Sequence, residues 1–137
     1  MNWLLKTEPN EYSYTDLEKE NIAVWDGVKN ALALKNMRTM LRGEEVFIYH
    51  TGKERRIVGV AQVAKTAYPD PKLTDVKRLV IDIRAVRKLP ESITLAQIKQ
   101  DENMKGFELI RLPRLSIVPV LPQYWQRLLE MASSSSC

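Results

Sequence analysis

The chain has 137 residues, 45% of them hydrophobic and 28% charged, the make-up of one compact domain with a core of its own. No apolar run approaches the roughly 20 residues of a membrane span, and the opening residues lack the basic-then-apolar pattern of a signal peptide. A single cysteine, Cys137, and a single histidine, His50, exclude an internal disulfide, a Cys-based zinc site and two-histidine catalysis, while a net charge of +4 suits a polyanionic partner.

Residues 2–7 read as a short strand ended by Pro9, which has no N–H for a ladder. Ser13-Tyr14-Thr15-Asp16 and Thr15-Asp16-Leu17-Glu18 both have capping-box spacing, so a short helix is predicted from Ser13 or Thr15 to about Asn21. Then comes Trp25-Asp26-Gly27-Val28-Lys29-Asn30, which gathers a large aromatic, a carboxylate, a glycine, a cation and an amide. That mixture suits the rim of a pocket better than a core, and Asp26 is a candidate cap for the helix that follows. The helix is predicted over 28–41, rich in Ala, Leu and Met, and stopped by Gly43.

Residues 45–51 have the β-branched and aromatic content of a strand, and 57–64 read as its return partner across a basic hairpin tip, 52–56. Gly59 inside the second strand marks a bulge or a close approach. Tyr68-Pro69-Asp70-Pro71 is a rigid turn. Residues 79–85 alternate cleanly, predicting Leu79, Ile81, Ile83 and Ala85 inward and Val80, Asp82 and Arg84 outward, on a sheet with one wet face. Thr94-Leu95-Ala96-Gln97 is another capping box, opening a short helix that includes Ile98. An edge strand over 115–118 and a terminal helix from Pro122, packing through Trp125, Leu128 and Leu129, complete the domain at about residue 132. A disordered tail is expected over 133–137. The class is α+β, a small bent sheet or barrel with helices at its ends.

The five glycines are scattered, so no phosphate loop, dinucleotide fingerprint or nucleophile elbow exists. Glu8, Asp26 and Asp70 are candidate acids without a diagnostic spacing, and Thr7 or Ser116 with His50 as base stays open. Binding has more to work with. Trp3 and Trp25 stand beside Lys6, Thr7, Glu8, Asp26 and Asn30, a setting for a planar, hydrogen-bonding ligand such as a nucleobase. Base–aromatic stacking is worth about 1–3 kcal/mol. The competing reading puts both tryptophans in the core. His50 is either a hydrogen-bonded buried histidine or a ligand contact. Arg111 and Arg114, three apart on an extended strand, face opposite sides unless Pro113 re-aims them; a solvated edge and a pocket contact both fit.

Six segments resemble the EVE domain in order and spacing: Trp3-Leu4-Leu5-Lys6-Thr7-Glu8-Pro9, the Trp25–Asn30 stretch, Val46-Phe47-Ile48-Tyr49-His50-Thr51, Val58-Gly59-Val60-Ala61, Tyr68-Pro69-Asp70-Pro71 and Arg114-Leu115-Ser116-Ile117-Val118-Pro119-Val120. The resemblance runs from Trp3 to about Met131. It implies a PUA-like bent β-barrel of about five or six strands flanked by short helices, with a non-catalytic pocket for a nucleobase, chiefly a modified one, of DNA or RNA. It implies no cofactor. It carries site roles onto Trp3, Lys6 and Thr7, onto Trp25 and Asn30, onto Tyr49, His50 and Thr51, and onto Arg114 and Ser116; Glu8, Asp26 and Arg111 flank them. Pro113 departs from the polar residue common there, and Thr7 and Thr51 stand where Ser is common. The expectation is a monomeric, cytoplasmic nucleic-acid binder with no metal and no membrane partner, against two alternatives: an enzyme acting on a modified nucleotide, and a protein-interaction module.

Overall fold

The computed structural model describes residues 1–133; the rest of the expected tail, 134–137, lies outside them. The elements in chain order are β1 (Asn2–Thr7), α1 (Tyr14–Glu20), β2 (Ile22–Trp25), α2 (Ala31–Thr39), β3 (Glu45–His50), β4 (Arg56–Pro69), β5 (Leu79–Thr94), α3 (Leu95–Gln100), a 3₁₀ turn (Glu102–Met104), α4 (Glu108–Arg111), β6 (Ile117–Val120) and α5 (Pro122–Ser133). The six strands form one open sheet in the order β2-β5-β4-β3-β1-β6, the α+β architecture expected. β1 runs parallel to β3 and antiparallel to β6. As the inner strand of this end it buries Trp3, Leu4 and Leu5 in succession, so both of its faces are covered.

Local chemistry sets most boundaries. Ser13 caps α1 in a full capping box with Asp16, and Thr94 caps α3 in another with Gln97. The edge strand expected over 115–118 forms two residues later, where Leu115 N–H closes a turn onto the Leu112 carbonyl. Helix α2 starts later than predicted: Asn30, not Asp26, accepts from the Ala33 N–H at 3.0 Å and makes the cap. Gly27, at φ +78°, keeps the chain out of the helix beforehand. At the far end the helix stops at Met40, and Gly43 serves the turn that follows rather than the cap.

The long β4–β5 pair bends the sheet. Its register shifts at four places, beginning at Ile57/Gly59. The alternation predicted over 79–85 fails at Val80, which is as buried as Ile81, because both faces of β5 are covered there. Arg111, expected on an extended strand with Arg114, instead ends the short helix α4, paired to Glu108 at 2.7 Å one turn back. Ser133, expected to begin the tail, closes α5 instead. Helix α2 packs against β6, β5 and β4, and α5 against β5, with Trp125 stacked on Phe47 at 3.9 Å between centroids. Among the described residues no helix is long and apolar enough to cross a membrane.

Candidate functional site

The C-terminal half of β1 and the turn beyond it carry Lys6, Thr7 and Glu8, which form a wall shared by two adjoining cavities of about 680 and 590 Å³. Both volumes fall in the range of ligand sites. The wall is held from both sides: Lys6 N–H donates to the Ser116 carbonyl at 3.0 Å, and Thr51 N–H to the Thr7 carbonyl at 2.9 Å. The Lys6 ammonium donates to the Pro113 carbonyl at 2.7 Å and lies 5.8 Å from the centroid of the Tyr49 ring. Burial pulls its pKa below the ordinary lysine value. The Thr7 hydroxyl donates to the Tyr12 carbonyl at 2.6 Å, which leaves its own lone pairs for an incoming donor.

Trp25 and Tyr12 wall the larger cavity. Their rings meet nearly at right angles, 82°, with centroids 6.1 Å apart, an edge-to-face pair whose two residues line one space. Trp25 is only 8% exposed and belongs to the core as well as to the cavity. The Tyr12 hydroxyl is buried, with the Glu20 carboxylate as its polar neighbour. Burial, followed by the charge of Glu20, pushes its pKa up to about 12, so it stays a neutral donor across the physiological range. Asp26 and Gly27 complete the rim on the β2 side.

The smaller cavity takes Tyr49, Thr51, Arg114 and Ser116, together with Arg55 and Lys99. Thr51 Oγ1 lies 3.3 Å from the Thr7 carbonyl and 3.4 Å from Glu8, whose other oxygen accepts from Asn10 N–H at 3.1 Å. Gly52, at φ +71°, passes so close beneath Glu8 that a Cβ there would stand 2.6 Å from its carboxylate. Burial also raises the pKa of Tyr49, against a smaller opposing pull from Arg55.

The structure therefore brings together Lys6, Thr7, Glu8, Trp25, Asp26, Tyr49, Thr51, Arg114 and Ser116 from four separate stretches. Asn30 and Arg111 stand beside them, lining a shallower hollow that also reaches Arg114. Two predicted residues are elsewhere. Trp3 is 4% exposed, with its indole N–H donated to Glu44 at 2.9 Å, and lines neither cavity. His50 accepts the Tyr14 N–H on Nε2 at 3.0 Å and faces Glu54 through Nδ1 at 2.9 Å, so it anchors the start of α1. Sequence reasoning missed Tyr12, Glu20 and Lys99. Tyr12 sits in an aperiodic turn, and nothing local distinguishes it from Tyr14, which is core.

The model of the EVE domain family matches residues 1–131. Human thymocyte nuclear protein 1 is 29% identical over 164 residues, spanning 95% of this chain and 73% of its own. A crystal structure of an Agrobacterium tumefaciens protein superposes with a TM-score of 0.92 at 31% identity, over 96% of this chain and 92% of that one. The crystal structure of human THYN1 in complex with 5-methylcytosine-containing DNA superposes at 0.89 with 29% identity, over 96% of each chain.

Proposed function

The chain belongs to the EVE domain family, and from that membership we propose that it is a non-catalytic nucleic-acid-binding module that takes one modified base of DNA or RNA into the Trp25–Tyr12 cavity. The observation that carries this reading is the pair of near-perpendicular aromatic rings, Trp25 and Tyr12, that line one cavity beside a cationic one. The 5-methylcytosine DNA bound by human THYN1 supports a modified base as the ligand. The base leaves its stack to enter, which costs a few kcal/mol and least for an unpaired or altered base. Stacking on Trp25 and a hydrogen bond from Tyr12 offset that cost. Lys6 and Arg114 meet the phosphates, Thr7, Thr51 and Ser116 face the sugar and base edge, and the protein acts as a cytoplasmic monomer.

Matched plain and 5-methylcytosine oligonucleotides, as DNA and as RNA, test the reading by titration calorimetry. The wild type is expected to prefer a modified strand. Tyr12→Phe keeps the ring and removes only the buried hydroxyl beside Glu20, so its melting temperature should change little, while affinity falls roughly two- to tenfold, the worth of one hydrogen bond. Trp25→Phe keeps an aromatic body in the core and should weaken binding further. Equal affinity for all strands, unchanged by either substitution, would remove the pocket from the account.

A further inference from the structure

The two cavities on either side of the Lys6–Glu8 wall carry opposite charge. The Trp25 cavity is lined by four carboxylates, Glu8, Glu11, Glu20 and Asp26, against the ammonium groups of Lys6 and Lys72. Its neighbour is lined by four cations, Lys6, Arg55, Lys99 and Arg114, against Glu8 alone. The cationic surface continues outward, because Arg55 and Lys99 also line a further hollow with Lys53. Among the described residues Lys53, Arg55, Lys99 and Arg114 make no ion pair. By contrast Arg111 and Lys105 pair with Glu108 and Glu102 one turn back, and Arg127 of α5 pairs with Asp101 at the end of α3. The carboxylate that lies among these free cations in the outer hollow, Glu54, is turned to His50. Arg55 and Lys99 come from two elements that are tied together: the Arg55 carbonyl accepts the Leu95 N–H at 2.8 Å, joining the 51–55 loop to the start of α3.

A nucleotide is divided in the same way, into a flat base without a phosphate's charge and an anionic backbone. An anion is repelled by the first cavity and drawn to the second. Resting on the base-binding reading above, we propose that the smaller cavity and its outward continuation form a phosphate track, in which Arg55 and Lys99 grip the backbone beyond the phosphates at Lys6 and Arg114. The strand then leaves the site across the start of α3 toward Lys53, and the base alone enters the acidic side. This assigns a binding role to the hairpin tip and to α3, elements remote in sequence from the Trp25 stretch.

The test compares a 5-methylcytosine single-stranded oligonucleotide with the free nucleoside 5-methyl-2′-deoxycytidine. The variants are Arg55→Gln/Lys99→Gln, Lys99→Gln alone, and an Arg84→Gln/Lys88→Gln control on exposed positions of β5. Single-stranded binding changes by about 0.7 in the slope of log K against log salt per phosphate contact, so the first double variant is expected to flatten the slope by about 1.4 and Lys99→Gln by about 0.7. Nucleoside affinity should be unchanged in both, and the control should match the wild type throughout. An unaltered slope in the Arg55/Lys99 variants, an equal loss in the control, or a parallel loss of nucleoside binding would each overturn the track. Failure of the base-binding reading shows up separately, as a wild type that does not bind the nucleoside while its oligonucleotide slope still responds to Arg55 and Lys99.

Discussion

Glu44 shows how one side chain can hold distant segments. Its carboxylate accepts the Trp3 indole N–H at 2.9 Å and the Leu41 N–H at 2.6 Å. Burial acts to raise its pKa, but these donors, together with the Met1 ammonium at 3.0 Å, outweigh burial and hold the carboxyl below its ordinary 4.5. A carboxyl depressed by folding stabilises the fold fully above its unfolded pKa, and that contribution disappears as pH falls through the lower folded value. Glu44→Gln is therefore expected to lower the melting temperature at neutral pH, by about 1–2 kcal/mol of stability. The gap to the wild type should shrink steadily below pH 4.5; a gap independent of pH would contradict the linkage. Asn30 poses a second residue-scale question, since its Oδ1 is committed to the α2 cap while its amide N–H groups stay free to donate. Asn30→Asp keeps the cap and should hold stability, whereas Asn30→Ala should lose about 1 kcal/mol. If the amide reads a ligand, both variants lose affinity; if Asn30 is only a cap, Asn30→Asp binds as well as the wild type. Trp3 and Trp25 looked alike in sequence, each beside polar neighbours. A partner 41 residues away made Trp3 structural, while Trp25 faces a cavity.

At the scale of elements, β4 and helix α1 meet through Tyr14. The Tyr14 ring lies over Gly59, where an added Cβ would come within 2.5 Å of two ring carbons. The ring has nowhere to go, because its hydroxyl donates to the Val60 carbonyl at 2.7 Å and its backbone N–H to His50. Gly59→Ala should then lose roughly 1–3 kcal/mol by overpacking, visible as a lower urea midpoint at unchanged slope. A Tyr14→Leu background should relieve much of that loss. Gly59 was legible as a bulge or a close approach, and it is both. The capping boxes at Ser13 and Thr94 were legible too, since each closes within four residues. The full lengths of β4 and β5 were not legible, because register shifts interrupt the period on which a strand is recognised.

Across the whole molecule, α5 closes the core by stacking Trp125 on Phe47, a fully buried residue of β3. Truncating such an aromatic costs about 3–5 kcal/mol, a large part of the roughly 5–15 kcal/mol that holds a domain together. Trp125→Ala should accordingly unfold at a much lower temperature and lose binding only in step with the folded fraction. Trp125 and Trp25 are equally exposed, at 8% each. Burial therefore does not separate core from site here; the empty space beside Trp25 does.

The amino-acid sequence by itself determined the class, most strand and helix positions and the caps, because these depend on patterns that repeat or close within a few residues. Only the tertiary structure decided which aromatic residues line a cavity, that Tyr12 is one of them, and that Lys6 reaches the Pro113 carbonyl across 107 residues. It also divided the charges into an acidic side and a basic side of one wall. A site of this kind is built from the ends of strands that meet only when the sheet bends, so its members share no local period that a reading along the chain could detect.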